Sequence, residues 1–389
     1  MSTDLLTDAA RRWGTPLYVT DLDAAVENLA AYRRAFTEAL IAYAVKANPD
    51  PALLRRLVAD GAGCEVVNAV ELEIALRAGC PPERMVMNGI GKTDDDIRAG
   101  LNTGVLVNAE SLDELADLVR VAAPATRIGL RLNPGLDAGT HAHLATGAAD
   151  AKFGISIDDV DAALGLLPRP AAIGAHIGSD IASPEPFRSL VEVLAPLAAR
   201  LPDTVIDLGG GLRQADRESL AALRVAIERL GADRRLILEP GRSLVADAGF
   251  LLTRVLRVQR RQDSTHLIVD SGMTELLRPM LYGAEHPVRL IAPGAEIDAV
   301  DGPILLAGPV CEAGDILVRD LRPLLPPDDL ARAGHGALLA IERAGAYGAA
   351  MASNYNGRLR PAQVVVDGGE LRLSVRRETL DDLVRRDAM

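Results

Sequence analysis

The chain has 389 residues, 49% of them hydrophobic, enough to build a sizeable core in one large domain or two ordinary ones. Its formal net charge of −12 argues against a nucleic-acid backbone or an anionic membrane as main partner, because both repel an acidic surface; a local basic site for a small anion is still compatible with it. Three widely spaced cysteines, Cys64, Cys80 and Cys311, suit a reducing compartment better than a disulfide framework and contain no CxxC metal pair.

The N-terminus lacks the basic segment and long apolar core of a signal peptide, and no apolar run reaches bilayer length, so a cytoplasmic protein without a bound metal is expected. Residues 16–20 are a first strand candidate. The run 41–45 follows and leads into Lys46; Asn48-Pro49 halts it and Pro51 opens a helix, which puts the ammonium at a strand's C-terminal tip. Further strand candidates at 64–67, 85–87, 105–108, 128–132, 172–176, 205–208 and 236–238 alternate with helix starts near Pro51, Ala69, Thr93, Ser111, Pro186 and Arg217. Eight such strand–helix units are what a (β/α)8 barrel needs. The fifth connection, from Asn133 through Thr140-His-Ala-His to Lys152-Phe-Gly-Ile, is longer than its neighbours, as functional loops at a barrel mouth are.

After Gly249 the texture changes. Residues 250–260, 266–270, 288–291, 303–306, 338–342, 363–366 and 371–375 read as strands, separated by turns such as Asp301-Gly302 and Asp367-Gly368-Gly369. The predicted fold is therefore α/β plus β. A TIM-like (β/α)8 barrel covers 23–247, and a mostly β domain over 248–389 is completed by the N-terminal strand within 1–22.

Chemistry-bearing residues recur at the strand tips. Lys46 alone reads as a lysine snorkelling into water; among such neighbours it suits a Schiff base. Gly209, Gly210 and Gly211 follow the seventh strand, where bare backbone N–H groups favour an anion, and barrels of this kind often bind phosphate after strands seven and eight. The eighth tip, Glu239-Pro-Gly-Arg-Ser, adds Gly241 and the guanidinium of Arg242. His176 ends the sixth strand, placed to pack flat on a ring.

These pieces stand in order with others: Tyr43-Ala-Val-Lys-Ala-Asn, Gly139-Thr-His, Lys152-Phe-Gly-Ile, His176-Ile-Gly-Ser, Gly209-Gly-Gly, Glu239-Pro-Gly-Arg, Arg278-Pro-x-Leu-Tyr-Gly-Ala-x-His, Gly308-Pro-x-Cys-Glu-x-Gly-Asp and Ala344-Gly-Ala-Tyr-Gly. With them the chain resembles the fold type III pyridoxal phosphate-dependent decarboxylases, most closely the diaminopimelate decarboxylase branch, nearly end to end. The resemblance implies pyridoxal 5'-phosphate as cofactor, carried on Lys46, with His176 against the ring and Glu239 on the pyridine nitrogen. It implies a phosphate held by Ser179, Gly209, Gly210, Gly211, Gly241 and Tyr355. It assigns the substrate to Arg242, Arg278, Tyr282 and Glu312, and reprotonation of the reacting carbon to Cys311. In this family Cys311 and Glu312 reach the site from the other subunit, which implies a homodimer.

The implied reaction converts meso-diaminopimelate to L-lysine and carbon dioxide. Arg242 and Arg278 suit its distal carboxylate and Glu312 its ammonium. Several positions depart from the family pattern: Gly174 two residues before His176, Asp180 in place of Gln, Glu65 where Asp is common, and a short segment between Gly211 and Glu239. Trimmed loops of that kind suit the nearest alternative, a secondary-metabolism decarboxylase of another, bulkier amino acid. A racemase and a catalytically inactive homologue fit less well, because Lys46, Glu239 and the Cys311-Glu312 pair are all present.

Overall fold

The computed structural model describes residues 1–136, 146–231, 234–297 and 302–387. The motif Gly139-Thr-His, residues 140–143 of the long connection and Asp301 of the predicted turn lie outside the described residues. The chain forms two compact units, Met1–Ala24 with Val245–Met389, and Ala25–Leu244.

The first unit opens with a helix the sequence reading missed, Thr3–Trp13, whose N-cap Ser2 accepts the Leu5 N–H. Strand β1 (Leu17–Asp21) follows, and after it a second unpredicted helix, Leu22–Ala35, leads into the barrel.

The barrel strands are β2 (Leu40–Ala44), β3 (Gly63–Val66), β4 (Met85–Met87), β5 (Leu106–Ala109), β6 (Ile128–Asn133), β8 (Ala172–Gly174), β9 (Val205–Asp207) and β10 (Leu236–Leu238); β7 (Ile155–Ser156) is a short strand beside the end of β6. All pairings are parallel. The order β5-β4-β3-β2-β10-β9-β8-β6 closes through β5–β6, so the predicted eight-stranded barrel is present. Such a sheet must be apolar inside and out, and the tips are fed by capped helices: Asp50 accepts the Ala52 and Leu53 N–H groups at the start of Pro51–Ala59, and Thr93 and Asp96 form a capping box on Asp94–Thr103. Ala42, Val86, Leu106, Ala172 and Ile237 fill the interior as one buried cluster, which leaves the C-terminal tips as the polar end.

Two tip residues differ from expectation. Lys46 sits in a single 3-10 turn, Val45–Ala47, just past β2, and the sixth barrel strand ends at Gly174, two residues short of His176. Past Gly174 the Ala175 N–H still donates to the Asp207 carbonyl at 3.1 Å, while the His176 carbonyl accepts from Thr146 Oγ1 at 2.7 Å.

The other unit holds β11 (Gly249–Arg260), β12 (Thr265–Val269), β13 (Val288–Ala292), β14 (Ile304–Ala307), β15 (Ile316–Val318), β16 (Leu338–Ile341), β17 (Ala362–Asp367) and β18 (Glu370–Val375). Only β15, three residues long, has no counterpart in the sequence reading. β1 joins this sheet as expected, antiparallel to β11 and parallel to β17. Side-chain alternation gives the sheet two buried faces. Leu17, Val19, Phe250 and Leu252 pack with Leu6, Ala9 and Ala10 of the first helix, while Tyr18, Leu251 and Val255 pack with Leu276, Leu306 and Leu339.

Candidate active site

The barrel's polar end is organised by a chain of hydrogen bonds. Lys46 Nζ donates to both oxygens of Glu65, at 2.8 and 3.0 Å, and the lysine side chain is 40% exposed while that of Glu65 is 1% exposed. Glu65 sits on β3 directly beside Ala44, which is why its carboxylate reaches the lysine two residues further on. Asn88, just past β4, donates through Nδ2 to Glu65 Oε1 at 3.2 Å and to Glu239 Oε1 at 2.6 Å. Its Oδ1 accepts from Asn108 Nδ2 at 2.9 Å.

Glu239 is buried, and burial, followed by repulsion from Asp207 and Glu65, pushes its carboxyl well above the usual carboxylate range; Lys46 pulls the other way. Burial likewise raises Asp207 to about 6. A cation placed against Glu239 would favour its ionised form.

The His176 ring accepts the Gly210 N–H at Nδ1, at 3.0 Å, so that nitrogen carries no proton. Burial first, then the Arg131 and Lys46 cations, hold the imidazole well below its ordinary pKa, and the ring is neutral. Arg131 pairs with Glu110 at 2.9 Å and lies 5.0 Å from the centre of the Phe153 ring in the Lys152-Phe-Gly-Ile motif.

The glycines are there for space. A Cβ at Gly210 would come within 2.1 Å of the Glu239 carbonyl oxygen, and one at Gly211, where φ is +121°, within 2.4 Å of the Gly178 carbonyl oxygen. Gly209 (φ +61°) would strike the His176 ring. Beside this bare backbone Arg242, 9% exposed, donates from Nη2 to Ser179 Oγ at 3.1 Å, and Gly241 precedes it. A concave backbone with an arginine and a hydroxyl suits a phosphate group, and the donor set fits a phosphorylated aromatic aldehyde whose ring faces His176. Asp180, which departs from the family pattern, takes a left-handed conformation (φ +68°) and pairs with Arg213 at 2.9 Å. Gly174 departs for a steric reason: any Cβ there would meet the Asp207 carbonyl oxygen at 2.2 Å, so no histidine fits while β8 and β9 keep this spacing.

In the β unit the remaining predicted residues fall into two groups. Arg278 is 4% exposed, opens the short helix Arg278–Tyr282, and lies 5.5 Å from the Tyr282 ring centre and 5.9 Å from that of Tyr347, so it is no surface ion pair. Cys311 and Glu312 are exposed, on a loop tied down on both sides. The Cys311 N–H donates to Asn356 Oδ1 at 2.9 Å, and Tyr355 Oη donates to Glu312 Oε1 at 2.5 Å. Asp315, 1% exposed, accepts the Val310 and Met273 N–H groups and fixes the loop's base.

Sequence reasoning missed Asn88, Asn108 and Arg131 as parts of this site, and met Glu65 only as a departure. One signal was available: each is a polar residue within or at the end of an otherwise apolar strand run. Among the described residues no group of three or more His, Cys, Asp or Glu is arranged to hold a metal ion, and no helix is long and apolar enough to cross a membrane.

The family model for the pyridoxal binding domain of pyridoxal-dependent decarboxylases matches residues 22–246. The chain is 42% identical to the diaminopimelate decarboxylase of Pseudomonas aeruginosa, over 97% of this chain and 94% of that one. It is 41% identical to that of Deinococcus radiodurans, over 98% of each. Among solved structures, Helicobacter pylori diaminopimelate decarboxylase complexed with L-lysine superposes with a TM-score of 0.89 at 32% identity, covering 98% of both chains.

Proposed function

Because the chain belongs to the pyridoxal-dependent decarboxylases, we propose that it converts meso-diaminopimelate to L-lysine and carbon dioxide. The observation that carries the substrate is the likeness to diaminopimelate decarboxylases along almost the whole chain, including the β unit that bears Arg278, Tyr282, Cys311 and Glu312.

Pyridoxal 5'-phosphate, when bound, supplies a cationic ring that delocalises the electron pair left at the substrate's Cα. In this reading Lys46 Nζ carries the cofactor. Ser179, Gly209, Gly210, Gly211, Gly241 and Tyr355 hold its phosphate, and neutral His176 lies flat on the ring. Glu239 would accept the ring N–H and so keep that nitrogen protonated. Arg242 and Arg278 take the distal carboxylate of the substrate, Tyr282 packs beside it, and Glu312 takes the distal ammonium. Cys311 Sγ returns a proton to Cα; a thiol is acidic enough to do this and basic enough to recover it. The barrel over 23–247 acts as the cofactor unit. Residues 1–22 and 248–389 lend Cys311 and Glu312 to the partner of a cytoplasmic homodimer, in keeping with the exposure of both side chains.

The test is carbon dioxide release by the purified, pyridoxal phosphate-loaded protein on meso-diaminopimelate, beside lysine, ornithine, arginine and glutamate. Release from meso-diaminopimelate alone is expected. Release from another amino acid and none from meso-diaminopimelate would overturn the substrate and favour the bulkier-substrate reading that the short segment between Gly211 and Glu239 suits.

A further inference from the structure

We infer that Asn88 is a positioning residue for Glu239: it fixes the rotamer of that carboxylate and ties it to the counter-ion of Lys46. The inference rests on the assignment of Glu239 to the ring nitrogen.

Carboxylate oxygens only accept, so both hydrogens of the Asn88 amide are committed, one to Glu239 Oε1 and one to Glu65 Oε1. The amide cannot turn over without placing its own oxygen against two carboxylates. Asn108 enforces the same choice by donating to Asn88 Oδ1. It does so at a cost, because its own Oδ1 is buried and finds no donor among the described residues, lying over Gly129 where a Cβ would come within 2.1 Å of it. All four side chains belong to residues no more than 7% exposed, so water does not substitute for these bonds.

The arrangement answers an electrostatic problem. Glu65, Asp207 and Glu239 converge in a buried space, and burial, then the like charges, favour protonation of Glu239, which would spoil it as an acceptor for a ring N–H. A donor at 2.6 Å favours the ionised form and, by occupying Oε1, leaves Oε2 for the ring. The second hydrogen of the same amide reaches Glu65, the partner of Lys46. One side chain thus touches the groups that serve both the ring nitrogen and the carrier lysine.

The test is a double-mutant cycle with Asn88→Leu and Glu239→Gln, Leu keeping the volume and removing the donors. Apo-protein is titrated with pyridoxal 5'-phosphate, and the pH midpoint of the bound cofactor's visible absorbance is recorded. Asn88→Leu is expected to weaken cofactor binding by about tenfold, the worth of a hydrogen bond to a charged group, and to move the midpoint upward. In the Glu239→Gln background the same change should alter neither by more than about twofold. Equal losses in both backgrounds would mean that Asn88 merely packs, and would overturn the inference alone. No effect of Glu239→Gln by itself would overturn the assignment of Glu239 and the inference with it. Should Asn88→Leu fail to fold, Asn88→Ser retains one donor and is expected to give a smaller loss with the same dependence on Glu239; a loss independent of Glu239 would again refute the inference.

Discussion

Replacing Lys46 with methionine keeps the apolar stem and removes the charge, which isolates the ion pair with Glu65. In the native chain both Glu65 oxygens lie within 3.0 Å of the ammonium. The variant leaves a carboxylate of 1% side-chain exposure to which the Asn88 amide still donates, at 3.2 Å. Breaking a fully buried pair costs about 3–5 kcal/mol, because one charge stays behind in a medium that solvates it poorly. Here the lysine side chain is 40% exposed, so water already weakens the pair and can reach the vacated space. The expected loss is therefore about 1–3 kcal/mol, read as a lower urea midpoint of the cofactor-free protein. Lys46→Met with Glu65→Gln should recover most of it, since the second change removes the stranded charge. A single variant as stable as the wild type, with no recovery in the double, would refute the reasoning. The same Lys46 variant, loaded with pyridoxal phosphate, should show neither the lysine-bound cofactor absorbance nor carbon dioxide release, and persistence of both would rule out Lys46 as the carrier.

Gly210→Ala brings a methyl group within 2.1 Å of a backbone oxygen that cannot swing aside, so the tip after β10 must shift and Glu239 with it. We expect about 1–3 kcal/mol of destabilisation and at least about a tenfold loss of pyridoxal phosphate affinity; unchanged affinity would exclude this turn from the phosphate site. For His176 the sign follows from its depressed pKa: the folded chain keeps the ring neutral, while the unfolded chain protonates it below about pH 6.5. Stability should therefore fall as pH drops through about 6.5, by up to about 1.4 kcal/mol per pH unit for this one proton. His176→Gln, which retains an acceptor for the Gly210 N–H, should flatten that dependence between pH 7 and 5 in urea titrations. Equal slopes for the two proteins would show that the histidine protonates in place.

Much of the architecture was legible in the chain because its signals are local. Lys46 is followed by a strand stop and a helix start, and the β2–β10 runs are apolar and evenly interrupted, which is enough for a closed parallel barrel. The β unit's alternation likewise marked seven of its strands, and Pro16-Leu-Tyr-Val-Thr was correctly placed with that distant sheet. The helix Thr3–Trp13 was missed because it buries only Leu6, Ala9 and Ala10, too thin a stripe to stand out amid Thr, Asp and Arg.

What the sequence by itself determined was which residue types stand at the strand tips: a lysine, a glutamate, a histidine and a run of glycines, each set there by a break in an apolar run. Only the tertiary structure decided how they are connected. That Glu65 meets Lys46, that Asn88 spans Glu65 and Glu239, that the Gly210 N–H selects the tautomer of His176, and that Arg278 is buried near two tyrosine rings all follow from register between strands and from close approach of backbones. Strand period is short-range and is written in neighbouring residues. A hydrogen bond between residues 23 or 151 positions apart depends on ring closure and a separation of tenths of an ångström, and no local pattern carries that information.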